Sequence, residues 1–468
     1  MCKIHDARNV LEKDCDAILY SSALRRLRGV TQVMPVVGDV VRVHDRMMHS
    51  FKVAQVGKRL AENLLARAHG QGNCDWFGSK RADEVIFPSA VYAAGLAHDL
   101  GHPPFGHVAE AELQKAVGGS SSTNPYYLPD GFEGNAQTFR VVTRLSCRKD
   151  LDKGDGLRLS PITLVALSKY PWSRGRAAEV ITDWERSPTK MKAYYNRKWG
   201  HYDSEGPLWN RCRAEAVSEA GKAVGINAQI MDLADDITYA VHDIQDYFRA
   251  GLIPLHFFLD QKVEEMLTNG ALAKIADAVQ KKGQYRVVKE DYDGAIAWIK
   301  DLRLPAGEYD SSTLARSDLH AFECSAIDKV MEAIDVRDAK LDVSLEARLG
   351  LEMLKQMTWY YVIDDRRLAA SQKGQRRIVS ELFKWLCEWV EEDYNDVESS
   401  VLRRFPRRLT DCLEVAISCK DEARYSYSDH QCYARAVIDY MVSLTDAEAV
   451  ALHRSLGGIS SVEPIAWL

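Results

Sequence analysis

No stretch of about 18 or more apolar residues occurs in this 468-residue chain, so no segment reads as a membrane-spanning helix. Cysteine pairing signals are missing too. The ten cysteines, from Cys2 to Cys432, are scattered, with no Cys-x-x-Cys pair. That spacing argues against a zinc-thiolate site or a disulfide framework and fits reduced thiols. The first residues, Met1-Cys2-Lys3-Ile4-His5-Asp6, lack a signal-peptide core, and a cytoplasmic location is the expectation. An excess of positive charge is also absent. Lys and Arg number 61 against 67 Asp and Glu, a net charge of −6, which excludes a generally basic nucleic-acid binder. Arg403-Arg404-Phe405-Pro406-Arg407-Arg408 is the one dense basic cluster, and a solvated face or subunit contact explains it better than a polyanion site.

Strand-like alternation is scarce, whereas helical periodicity is everywhere. Residues 51–67 place Val53, Val56, Leu60 and Leu64 at helical spacing with polar residues opposite. Similar patterns cover 88–100, 107–117, 133–146, 160–168, 226–249, 342–363, 375–395, 408–417 and 431–444. A short two-stranded element is expected around 144–160, where Lys153-Gly154-Asp155-Gly156 suits a turn. Loops are marked by Gly118-Gly119-Ser120-Ser121 and by the polar stretch 196–207. With no interdomain linker and no internal repeat, the expectation is an all-α chain with minor hairpin elements. It reads as one large helical unit over 1–468, with a core at about 15–255 and a helical extension at about 256–468.

The chemistry starts at His98-Asp99-Leu100-Gly101-His102-Pro103-Pro104, which closes the apolar run Ala93-Ala94-Gly95-Leu96-Ala97. Burying an unpaired Asp costs several kcal/mol, so the pair needs a compensating partner. In isolation a His-Asp dipeptide is more often a core histidine beside a capping aspartate. Neutral imidazole and carboxylate are both metal ligands, however, and a divalent cation offsets the desolvation of the Asp. Gly101 and the two prolines stop the helix and leave the pair where a ligand can reach it. Further donors stand at His49 upstream and at Asp232, Asp235 and Asp236 downstream. Asp235, Tyr239 and Asp243 recur every four residues and share one helical stripe. Spacing alone does not choose among the three downstream acids.

Several ordered segments turn this into a resemblance. They are Ser22–Leu27 with Thr31-Gln32-Val33; His49-Ser50 with Val53-Ala54-Gln55; and His98–His107 with Glu110. Gly131-Phe132-Glu133-Gly134-Asn135-Ala136-Gln137-Thr138-Phe139-Arg140, Lys169-Tyr170-Pro171 and Asp235–Tyr239 with Asp243 follow. Together they resemble the HD superfamily of metal-dependent phosphohydrolases and, within it, the deoxynucleoside triphosphate triphosphohydrolases of the dGTPase family. The resemblance covers about residues 15–250, with Gly374–Val379 similar to a family segment near the substrate. It implies a mainly helical HD fold and a single divalent metal held by His49, His98, Asp99 and Asp235. Mn²⁺ or Mg²⁺ is the first expectation, with Co²⁺, Ni²⁺ and Fe²⁺ also compatible. Asp236 then becomes a supporting or capping residue, and His242 a core or surface histidine.

By the same resemblance His107 and Glu110 are catalytic. Their i, i+3 spacing lets Glu110 hold the imidazole in one tautomer. Cleavage at the α-phosphorus expels a 5′-alkoxide, which a histidine can protonate while the metal lowers the pKa of the attacking water; an alternative has His107 activate that water. Lys169 and Tyr170 are expected at the phosphates or sugar, Tyr239 against the deoxyribose, Asp243 at the 3′-hydroxyl, and Gln32 and Asn135 as polar sugar contacts. Either Arg376 or Arg377 is expected to reach the substrate. His102 is set aside. The implied reaction converts a dNTP, dGTP first, to a 2′-deoxynucleoside and tripolyphosphate. Two rivals share parts of the pattern: an HD phosphodiesterase or alarmone hydrolase, and a non-catalytic nucleotide-sensing or single-strand DNA-binding protein. The family also implies a homo-oligomer, often a hexamer, with regulation by nucleotides or single-stranded DNA in some members, and the lack of a long apolar run argues against a membrane partner.

Overall fold

Small apolar residues ahead of His98 determine how closely the central helices approach. Pro88–Ala97 is helical, with Pro88 at its first position, where a missing N–H costs nothing. Ala90, Val91, Ala93, Ala94, Leu96 and Ala97 are all buried, as a helix apolar on every side must be. It crosses the Arg46–Gly70 helix at Gly95, where an added Cβ would stand 2.6 Å from the Ala54 Cα. Only glycine permits that backbone contact. The Ile226–Arg249 helix packs on both, so three helices converge on the region that carries His49, His98 and Asp235.

The computed structural model describes residues 6, 8–32, 44–70, 75–77, 80–147, 155–176, 198–220, 225–255, 269, 289–363, 366–394, 405–422 and 426–459. Among these residues there are sixteen α-helices and a single two-stranded sheet, so the fold is all-α as expected. No helix among them is long and apolar enough to cross a membrane.

The small sheet is not where the turn signal pointed. Residues 141–145 continue the Gly134–Arg140 helix as a π-turn, 155–157 form a turn and coil, and 148–154 lie outside the described residues. The hairpin pairs Ile334–Arg337 with Lys340–Val343. Ile334, Val336, Leu341 and Val343 face the core, and the charged residues between them face out. Asp338 and Ala339 close it with φ of 50° and 60°, the two positive values a tight hairpin turn requires.

Beyond the sheet, the helices Arg366–Tyr394, Arg407–Ser418, Asp429–Val442 and Asp446–Leu456 contribute to the same buried apolar cluster as the central helices. Of the basic cluster, 403 and 404 lie outside the described residues. Arg407 pairs with Asp411 at 3.6 Å, and Arg408 donates to the Leu145 carbonyl at 3.2 Å.

Buried charge ties the two halves of the sequence together. Arg140 lies 2.8 Å from both Asp439 and Glu205, and Gln137 donates to Asp439 at 2.8 Å. All four side chains are buried. Removing one partner from such a set strands the opposing charge. Asp439→Ala is therefore expected to lower stability by about 3–5 kcal/mol, read as a shifted urea midpoint at constant slope.

Candidate active site

His49 sits one turn into the Arg46–Gly70 helix, His98 caps the Pro88–Ala97 helix, and Asp235 lies on the Ile226–Arg249 helix. One ligand atom from each falls within 4.8 Å of the other two. His49 Nε2 is 3.0 Å and His98 Nε2 3.5 Å from the same Asp235 Oδ1. His98 Nδ1 is 2.8 Å from the Gly95 carbonyl, which assigns the proton to Nδ1 and leaves the Nε2 lone pair facing inward. That Nε2 is buried without a hydrogen-bond partner, between Asp235 and Asp99 Oδ1 at 3.4 Å. A lone pair facing two carboxylates is repulsive unless a proton or a metal cation lies between them. The nitrogen and oxygen donors therefore fit a divalent metal.

Charge distribution agrees with that fit at His49, Asp99 and Asp235, while at His98 the two carboxylates favour a proton in the place a metal would take. Burial pushes the His49 pKa down, which keeps it neutral and ligand-competent. At His98 burial is outweighed by Asp99 and Asp235, and the pKa rises. At Asp99 burial is outweighed by His98, His102 and Arg46, and the carboxyl lies well below its usual range. At Asp235 burial is likewise outweighed, by Lys169, His98 and His49. Asp99 meets the buried Arg46 guanidinium at 2.7 Å.

A second cluster adjoins the first. His102, His107 and Glu110 each place a ligand atom within 4.8 Å of the others. His107 Nδ1 lies 3.0 Å from Glu110 Oε2, with the histidine side chain 72% exposed and the glutamate buried. The other Glu110 oxygen accepts from Lys198 Nζ at 2.9 Å and from the Gly134 N–H at 3.2 Å. Lys198 also reaches Glu133 at 2.9 Å, and Glu133 caps the Gly134–Arg140 helix through the Asn135 and Ala136 N–H groups. At Glu110 burial is outweighed by Lys198 and His107, so this carboxylate stays charged beside the imidazole.

His102, set aside on sequence grounds, lies between the two clusters. Its Nδ1 is 3.1 Å from Asp99 Oδ1, and its ring centroid is 5.4 Å from that of His107. Arg46, Glu133 and Lys198 are further charged groups to which the sequence assigns no role. Lys198 is invisible there because its meaning depends on carboxylates distant in the chain.

Of the expected substrate residues, Lys169 is ion-paired with Asp235 and lies 3.6 Å from Asp232. Tyr170 is buried in an aromatic cluster with Trp172, Trp199 and Tyr202. Asn135 donates its side-chain amide to Glu133, the helix-capping residue, at 2.9 Å. Tyr239 is half-buried one turn beyond Asp235. Asp243 is buried with Oδ2 unpartnered, and burial, with Asp246 and Asp235 close by, raises its pKa well above the carboxylate range. Gln32 keeps a buried, unpartnered Oε1 while its carbonyl accepts from Arg46 at 3.2 Å. Arg376 and Arg377 are exposed, and Arg377 pairs with Glu381 at 2.8 Å. Asp236 pairs with Lys355 at 3.5 Å.

His242, next to Asp243, gives a pH signature of its own. It is buried 3.1 Å from Glu323, and burial pushes its pKa down to about 4 from 6.5. The unfolded imidazole protonates first on acidification. The stability present above 6.5 is therefore lost as the pH falls towards about 4. His242→Gln should flatten the fall of the melting temperature across that window.

Residues 46–145 match the HD domain family and residues 341–455 the phosphohydrolase-associated domain. A deoxyguanosinetriphosphate triphosphohydrolase-like protein of Streptomyces coelicolor is 31% identical, across 96% of this chain and 93% of its own length. The chain belongs to the dGTP triphosphohydrolase-like family. A relative of the same name in Listeria monocytogenes is 26% identical over 97% of this chain and 95% of its own length. One in Mesorhizobium japonicum, a deoxyguanosinetriphosphate triphosphohydrolase-like protein 2, is 34% identical over 53% of this chain and 47% of its own. As an HD-domain phosphohydrolase of this family, the chain places its HD match over His49, His98, Asp99, His102, His107 and Glu110. Asp235 lies outside both matched segments.

Proposed function

We propose that the chain hydrolyses a deoxynucleoside triphosphate, dGTP first, at the α-phosphorus, releasing a 2′-deoxynucleoside and tripolyphosphate. One observation carries the reading: a His49–His98–Asp235 ligand set stands beside a His102–His107–Glu110 set, joined by the Asp99–His102 contact at 3.1 Å. His49, His98, Asp99 and Asp235 would hold Mn²⁺ or Mg²⁺, which supplies Lewis acidity at the phosphate and makes water a better nucleophile.

Chemistry then requires two proton movements. The bond from phosphorus to O5′ breaks as a bond from water oxygen to phosphorus forms; water loses a proton and O5′ gains one. His107 is the exposed group of the second cluster, with its Nδ1 turned to Glu110, so its Nε2 is the atom that exchanges a proton with substrate. The Glu110 carboxylate, held charged by Lys198, fixes the tautomer and stabilises the imidazolium. Lys169 offsets phosphate charge from the side of Asp235. Tyr239 and the unpartnered Asp243 face the sugar in this reading, where a pocket built for a 3′-hydroxyl rejects a sugar that leaves the carboxyl unpaired.

Anion-exchange separation of the products from a dNTP panel with Mn²⁺ tests the reaction. The proposal predicts tripolyphosphate with deoxynucleoside. Pyrophosphate with dNMP, or orthophosphate with dNDP, contradicts it.

A further inference from the structure

Asp446 begins the Asp446–Leu456 helix, far in sequence from either cluster, yet its carboxylate is committed to two segments that border the site. Oδ1 accepts the Phe105 N–H at 2.8 Å. Oδ2 accepts both the Thr31 N–H at 3.1 Å and the Thr31 hydroxyl at 2.6 Å. Phe105 and Gly106 carry φ of 63° and 59°, and Gly106 is the cap of the His107–Ala116 helix, with no side-chain capping bond. A positive φ at a residue with a Cβ persists only where its surroundings impose it. The Asp446 carboxylate supplies that constraint at the residue two before His107.

On the other arm, Thr31 precedes Gln32, whose carbonyl accepts from Arg46, and Arg46 holds Asp99. A parallel tie runs through Arg26, which donates to the Leu444 carbonyl at 3.0 Å and to the Leu100 and His102 carbonyls at 3.0 and 2.9 Å. Gly29 completes the contact, since a Cβ there would stand 2.5 Å from Thr445 Cγ2. Residues 444–446 thus grip the turn between His98 and His107 from two sides.

We propose that Asp446 is a positioning residue for the reaction: it holds His107 in register with the His49–His98–Asp235 set by fixing the backbone at Phe105. The inference rests on the reaction proposed above. Displacing a catalytic group by about 1 Å costs as much as 10²-fold in rate. Asparagine at 446 keeps the size but has only one acceptor oxygen, and its amide faces an N–H donor on one arm. One backbone N–H is then left unpaired.

The test compares Asp446→Asn, His107→Ala and the double variant in the full-length chain. Asp446→Asn is expected to lower kcat by about 10- to 100-fold, with KM and the Mn²⁺ affinity, read by paramagnetic resonance, changed less than threefold. Against the His107→Ala background the same substitution should change the residual rate less than twofold, because it acts through that histidine. Hydrogen exchange should quicken in peptides spanning 98–107 and stay unchanged in the 46–70 helix. A wild-type kcat in Asp446→Asn overturns the proposal, and so does a loss of undiminished size in the His107→Ala background. The exchange measurement needs no substrate. Should the wild-type chain turn over no dNTP, quickened exchange at 98–107 still supports the clamp, and unchanged exchange overturns it.

Discussion

Asp235→Ala is expected to abolish Mn²⁺ binding at micromolar metal and to lower dNTP turnover by at least about 10²- to 10³-fold. The reason is geometric. Asp235 Oδ1 is the atom both imidazoles face, His49 at 3.0 Å and His98 at 3.5 Å, so its removal leaves the two imidazoles with Asp99 alone. Asp99 does not substitute for it, because that carboxylate already serves Arg46 and His102. The freed Lys169 keeps Asp232 at 3.6 Å, so no unpaired ammonium is created to unfold the chain. Metal content by mass spectrometry, paired with circular dichroism, checks the first claim. A folded Asp235→Ala chain with wild-type metal content would remove Asp235 from the ligand set.

His107→Ala should lower kcat by about 10²- to 10⁴-fold, the range for a lost acid or base, while the metal stays bound. With its side chain 72% exposed, His107 contributes little packing, and the melting temperature should move by no more than a typical surface substitution moves it. Loss of rate therefore cannot be assigned to unfolding. Glu110→Gln should cost less than His107→Ala. It keeps a hydrogen-bond acceptor for the imidazole but not the charge that stabilises the imidazolium, and it weakens the Lys198 contact at 2.9 Å. Single-turnover kinetics on both variants read the difference.

Legibility in the sequence depended on how local each signal was. The Ile226–Arg249 helix matches its periodic pattern at both ends, because its core face repeats without interruption over the whole length. His98 stood out because it closes an apolar helix, whereas His49 and Asp235 lie on helices that carry many polar side chains and were singled out only by the family resemblance. The hairpin at 334–343 was missed although Ile334, Val336, Leu341 and Val343 alternate with charged residues. Its Asp338-Ala339 turn lacks the glycine that usually marks such a turn, whereas Gly154-Asp155-Gly156 carries that signal without pairing strands among the described residues. Lys198, Arg46 and Asp446 were not legible, since each acts on partners far away in sequence. The position of His102 between Asp99 and His107 was not legible either, because it depends on how the Pro-Pro turn folds.

The turnover of dGTP in H₂¹⁸O, followed by phosphorus NMR and mass analysis of both products, tests attack at the α-phosphorus most directly. The account predicts one ¹⁸O on a terminal phosphorus of tripolyphosphate and none in the 5′-hydroxyl of deoxyguanosine. Label in the nucleoside, or label in pyrophosphate or orthophosphate, would contradict it.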